Sequence, residues 1–234
     1  MEIDYSRIKV IGFDADDTLW VNETYFREAE MEFSKLLSEY ETPNKIDQEL
    51  FKMEMRNLSL YGYGVKSFIL SMVEMALVLS NYNVSSKTID AILDIGKEMI
   101  NKPVVLLESV EYVLKKLSKK YKLILATKGD LLDQERKLEK SGLLDYFHHI
   151  EVLSDKKEAN YSKLLNHLEI PPSEFLMIGN SLKSDVLPLI NIKAKAVHVP
   201  FHTTWSHEQV TENETNGKSY KTVRDLKEII NLLD

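Results

Sequence analysis

Three aspartates crowd into four positions, Asp14, Asp16 and Asp17, and Thr18, Leu19 and Trp20 follow at once. Carboxylates this close repel one another, so a fold keeps them where something offsets the charge. A divalent cation does so, because hard cations take oxygen ligands and Mg²⁺ commonly uses one or two carboxylates together with phosphate oxygens. The residues just ahead, Lys9-Val10-Ile11-Gly12-Phe13, form a short apolar run rich in β-branched side chains that reads as a buried strand. The acids therefore stand at the carboxyl end of a strand, where open α/β sheets gather their ligands. A lone Asp-x-Asp is otherwise an acidic turn capping a helix.

Three further clusters follow apolar runs in the same way. Lys122-Leu123-Ile124-Leu125-Ala126 leads into Thr127-Lys128-Gly129-Asp130, His149 to Leu153 into Ser154-Asp155-Lys156-Lys157, and Phe175 to Gly179 into Asn180-Ser181 and then Ser184-Asp185. Taken singly, each has a plainer reading. Thr127 can finish a strand, Lys156 and Lys157 can be solvated lysines, and Asp185 can be a first-turn helix acid favoured by the dipole. Their occurrence at successive strand ends overrides those readings. Acids for a metal, an aspartate nucleophile, a hydroxyl donor and a lysine together suit a phosphoryl group. His198, His202 and His207, with Trp205, are set aside as a loop edging the sheet, since histidine sites suit softer metals than this oxygen-rich set.

The elements that must position these residues fall into two textures. Between Trp20 and about residue 100, helical periodicity dominates: Phe26, Ala29, Phe33, Leu36 and Leu37, then Ile46, Leu50 and Met53. Val65, Phe68, Ile69, Met72 and Ala76 make a third amphipathic face, and Ser85 or Ser86 caps a fourth helix carrying Ile89, Ile92 and Leu93. Tyr61-Gly62-Tyr63-Gly64 breaks the second from the third. Four helices with short links and no strand signal predict an all-helical domain over 21–100. From Pro103 onward strands and helices alternate, with a glycine stop at Ser141-Gly142, a strand over Ala194 to Val199, a polar surface loop over Thr203 to Ser219 and a final helix. That alternation predicts an α/β core, residues 1–20 with 101–234, whose parallel sheet is covered by helices on both faces.

The composition sets outer bounds. The chain has 234 residues, 44% hydrophobic and 29% charged, which is the balance of a soluble globular protein. A net charge of −7 disfavours nucleic acid as a partner. Without cysteine there is no disulfide framework, thiolate chemistry or Cys-based zinc site. No apolar run approaches membrane-spanning length, and the first ten residues lack the regions of a signal peptide, so a cytoplasmic protein without a membrane partner is expected.

At these positions the chain resembles the haloacid dehalogenase-like hydrolase superfamily. The first family motif, DxDx(T/V), is similar to Asp14-Ala15-Asp16-Asp17-Thr18; the second, a Ser or Thr ending the next core strand, falls on Thr127. The third, an upstream Lys, fits Lys156 best by spacing, with Lys157 second, and the fourth falls on Gly179-Asn180-Ser181-Leu182-Lys183-Ser184-Asp185. The resemblance implies a three-layer Rossmann-like core with a helical cap inserted after the first motif. It also implies Asp14 as nucleophile and Asp16 as general acid and then base. Mg²⁺ would be held by Asp14, Asp185 and the Asp16 backbone carbonyl, with Thr127, Lys128 and Lys156 on the substrate. Asn180 departs from the pattern, where many relatives have an acid. Asp16 favours a phosphate ester over a halide, which needs no proton on leaving. The expectation is thus a Mg²⁺-dependent phosphatase acting on a small phosphorylated metabolite, a nucleoside monophosphate or sugar phosphate first, with a phosphomutase or a silent binding member as rivals.

Overall fold

A computed structural model describes residues 3–234. In chain order its elements are β1 (Val10–Phe13), α1 (Glu23–Leu36), α2 (Pro43–Tyr61), α3 (Val65–Leu79) and α4 (Ser86–Asn101). They continue with α5 (Val110–Leu117), β2 (Lys122–Lys128), α6 (Leu131–Ser141), β3 (His149–Leu153), α7 (Glu158–His167) and β4 (Phe175–Gly179). A π-helical turn over Leu182–Val186 then leads into α8 (Leu187–Asn191), β5 (Lys195–His198), α9 (Glu212–Thr215), β6 (Lys221–Thr222) and α10 (Glu228–Leu233).

The six strands form one wholly parallel sheet in the order β3-β2-β1-β4-β5-β6. Side chains alternate across a strand, so each strand feeds two cores. Ile11, Phe13, Leu123, Leu125, Leu176 and Ile178 pack on one face with Val110, Val113, Leu114 and Leu117 of α5 and with Ile229 of α10. Val10, Ile124, Ala126, Phe175 and Met177 pack on the other with Tyr161, Leu164 and Leu165 of α7 and Leu189 of α8. This is the three-layer, Rossmann-like architecture expected, built because both faces of every central strand are apolar.

The described chain divides into two compact units: residues 3–23, 104–128 and 135–234 hold the sheet, and residues 24–103 with 129–134 hold the helices α1 to α4. The helical unit has its own core, with Phe33, Leu37, Ile46, Leu50, Met72 and Ile92 fully buried. Ser85 caps α4 by accepting from the Thr88 N–H, and Asn57 of α2 donates to Ser71 and Glu74 of α3. Residues 129–134 join this unit partly through an ion pair of Asp130 with Lys66, 2.9 Å long.

Two local features differ from the sequence expectation. The loop beyond β5 carries a 3₁₀ turn at Ser206–Glu208 and the short α9, and a two-residue strand, β6, follows it. These are too brief to leave a periodic signal. The stretch just ahead of α8 is a π-helical turn that carries Asp185, and Pro188 lies at the start of α8, where its missing N–H costs nothing. Among the described residues no helix is long and apolar enough to cross a membrane.

Candidate active site

The strand ends of the sheet unit gather the chemistry-bearing residues. The Asp14 N–H donates to the Ile178 carbonyl at 2.9 Å, so the backbone keeps its sheet pairing up to the first acid. It then turns sharply. The N–H groups of Thr18 and Leu19 return to the Ala15 carbonyl, and Asp17 N–H donates to Trp20 O at 2.7 Å. Asp17 takes a left-handed φ of 61°, a conformation aspartate tolerates better than most residues. Its carboxylate accepts from the backbone N–H groups of Asn22 and Glu23 and so staples the turn to the start of α1. Burial pushes the Asp17 carboxyl up to about 8 despite those two donors.

Lys156 is the hub. Its ammonium, 2% exposed as a residue, donates to Asp14 Oδ1 at 2.5 Å and to Asp185 Oδ1 at 2.7 Å. Asp14 Oδ2 accepts from the Thr18 hydroxyl at 2.8 Å, and Asp185 Oδ2 accepts from the Ser181 N–H at 3.0 Å. Tyr161 donates its buried hydroxyl to the Ser184 carbonyl at 3.0 Å. Burial works to discharge Lys156, but the two carboxylates beside it prevail and hold its pKa well above the ordinary lysine value. Burial acts on Asp14 in the opposite sense: with the like charges of Asp185 and Asp16 it outweighs Lys156 and lifts the carboxyl to about 7. Lys157 is exposed and pairs with Asp155 at 2.7 Å. Tertiary structure thus separates two adjacent lysines that the sequence leaves nearly equivalent.

The remaining expected residues occupy distinct positions at the same edge. Asp16 Oδ1 accepts from Trp20 Nε1 at 2.7 Å and from Lys137 Nζ at 2.8 Å. Thr127 is buried at the end of β2, its hydroxyl 3.4 Å from the Lys128 carbonyl. The Lys128 ammonium turns toward Ser184 Oγ, at 2.9 Å, and Glu208 Oε1, at 2.5 Å. His198 Nε2 lies 3.0 Å from the Asn180 backbone carbonyl, the Asn180 N–H donates to Thr18 Oγ1 at 3.0 Å, and the Thr18 hydroxyl lies 3.4 Å from Asn180 Oδ1. The His202 ring lies at a tilt against Phe201, and that of His207 against Trp205.

Sequence reading missed Lys137, Glu208 and the hydroxyl of Tyr161. Lys137 looks like any lysine on a polar helix, and Glu208 lies in a loop without pattern. Tyr161 carried a signal, since a tyrosine on a buried helix face needs a partner for its hydroxyl.

The oxygen set suits a hard divalent cation. Two buried carboxylates, Asp14 and Asp185, share one ammonium, and burial raises the Asp14 carboxyl, so further positive charge is what the cluster lacks. Gly179 keeps the approach open: a Cβ there would fall 2.3 Å from Asp185 Cγ. Among the described residues no three acidic or histidine side chains converge as a metal cage. Two carboxylates fit Mg²⁺, which commonly uses one or two of them, keeps several waters and takes phosphate oxygens as ligands.

A family profile for haloacid dehalogenase-like hydrolases matches residues 8–192, from before β1 into the end of α8. The chain belongs to this hydrolase family. A haloacid dehalogenase-like family hydrolase from Xanthomonas campestris is 35% identical, with a TM-score of 0.86 over 100% of this chain and 95% of that one. The human N-acylneuraminate-9-phosphatase is 24% identical over 202 residues, covering 82% of both chains. A phosphatase of the family from Thermococcus onnurineus shares the fold at 20% identity and a TM-score of 0.63, over 97% of this chain and 98% of that one. As a member of the family the chain is an enzyme.

Proposed function

We propose that this hydrolase is a Mg²⁺-dependent phosphatase of small phosphorylated metabolites, working through an aspartyl-phosphate on Asp14. The observation that carries the reading is the buried Asp14–Lys156–Asp185 cluster, a carboxylate nucleophile held beside a lysine that stays charged. An Asp14 oxygen attacks phosphorus, the bond to the ester oxygen breaks, and Asp16 delivers a proton to the departing alcohol. Asp16 then takes a proton from the water that attacks the phospho-aspartate, which releases phosphate and restores Asp14. Lys156 and the Thr127 hydroxyl bind phosphoryl oxygens and oppose the charge spread over them in the transition state. Lys128, paired with Glu208, stands at the same strand end. Asp14, Asp185 and the Asp16 carbonyl would hold Mg²⁺, which would supply positive charge opposite the phosphoryl group.

For substrate, the mammalian N-acylneuraminate-9-phosphatases that the chain resembles favour a sugar phosphate over a nucleoside monophosphate. The test is phosphate release from a panel of both classes, with Mg²⁺ or with a chelator, beside Asp14→Asn. Release that requires both Mg²⁺ and Asp14 supports the reading. Equal inertness of wild type and variant across the panel counts against it, and turnover only in the presence of a bisphosphate activator would favour a mutase.

A further inference from the structure

We propose that Lys137 is a positioning residue that aims the Asp16 carboxyl at the leaving oxygen; this rests on the reading of Asp16 as general acid. Lys137 lies on α6, 121 positions from Asp16, and its side chain is 17% exposed. The ammonium donates to Asp16 Oδ1 at 2.8 Å and to Asn22 Oδ1 at 2.9 Å. A second donor, Trp20 Nε1, reaches the same Asp16 oxygen at 2.7 Å. Trp20 and the Asn22 backbone are held in place. Trp20 is fully buried in the core of the sheet unit, and Asn22 is tied through its N–H to the Asp17 carboxylate at 2.8 Å.

Two donors on one carboxylate oxygen fix both the rotation and the tilt of the group. A single donor leaves the carboxylate free to swing about it; a second, from a different direction, removes that freedom. A charged donor adds strength that a neutral one would not. As the ester P–O bond breaks and its electron pair moves to the leaving oxygen, the proton on the Asp16 carboxyl passes to that oxygen. In the second half-reaction the Asp16 carboxylate recovers a proton from the attacking water. Holding the acid within reach of the leaving atom is the kind of placement on which general acid catalysis depends.

The consequence separates substrates by leaving group. An alkoxide needs the proton; a nitrophenolate leaves well without one. The experiment follows the first turnover of the Mg²⁺-loaded enzyme by rapid quench, using a sugar phosphate and p-nitrophenyl phosphate. Wild type, Lys137→Met, Lys137→Arg and Asp16→Asn are compared. In Lys137→Met the first turnover of the sugar phosphate should fall by about 10- to 100-fold, while that of the aryl phosphate changes by less than about 3-fold. Lys137→Arg, which keeps the charged donor, should recover most of the loss. Equal loss on both substrates, or no loss on either, overturns the proposal when Asp16→Asn does discriminate between them. If Asp16→Asn also fails to discriminate, the general-acid reading of Asp16 falls, and the role of Lys137 with it.

Discussion

Removing the Glu208 charge should destabilise the sheet unit by an amount that depends on pH. Glu208 stands in the 3₁₀ turn at Ser206–Glu208, with its side chain 11% exposed. Its Oε1 accepts from Lys128 at 2.5 Å, and its Oε2 accepts from Ser184 Oγ at 2.6 Å and from Ser181 Oγ. Burial opposes ionisation here, but Lys128 and the two hydroxyl donors prevail and hold the carboxyl at about 2, against an ordinary 4.5. At about 1.4 kcal/mol per pH unit, that difference makes the ionised side chain worth roughly 3 kcal/mol at neutral pH. The folded value is depressed, so this stability is present in full above pH 4.5 and is lost as the pH falls toward 2.

Glu208→Gln keeps the shape, removes the charge and turns an amide donor toward groups that are themselves donors. With a slope of about 2–3 kcal/mol per molar urea, the midpoint of unfolding should drop by about 1 M at pH 7. Tryptophan fluorescence reads the transition, since Trp205 lies three residues before the substitution and Trp20 lies in the core of the same unit. The gap between wild type and variant should narrow as the pH is lowered below 4.5. The effect should also shrink in a Lys128→Met background, because the pair is lost as a unit. Equal midpoints at pH 7, or a gap that stays constant between pH 7 and 3.5, would refute the assignment of Glu208 as an ionised counter-ion to Lys128.

Gly179→Ala should displace the Asp185 carboxylate, because the new Cβ would lie 2.3 Å from its Cγ and Oδ2. The Mg²⁺ concentration for half-maximal activity should rise about tenfold or more, and a titration of activity with Mg²⁺ reads it directly. Phe33→Ala empties a fully buried site in the helical unit and should cost about 3–5 kcal/mol. Hydrogen exchange should then accelerate among amides of residues 24–103 while those of β1 and β2 keep their protection; uniform acceleration over both units would count against separate cores.

Much of the framework was legible because it is local in the chain. Apolar runs announced β1, β2 and β4, since a strand buried on both faces needs apolar residues in succession. Helical spacing announced α1 to α4, and Gly142 does stop α6 with a left-handed φ of 70°. Asp14, Asp185 and Lys156 were visible as strand-end residues, and the parallel sheet brings them together.

What the amino-acid sequence alone determined, then, is the order of elements and the inventory of reactive groups at their ends. Both follow from short-range periodicity and residue type. The partners of those groups were decided by tertiary structure. Lys156 rather than Lys157 enters the cluster because the turn after β3 buries one and leaves the other in solvent. Lys137 reaches Asp16 across 121 positions, and Glu208 reaches Lys128 across 80. No periodicity encodes such pairings. A surface lysine and a lysine that holds a strand-end carboxylate have the same composition and the same helix propensity, and differ only in what the folded chain places opposite them.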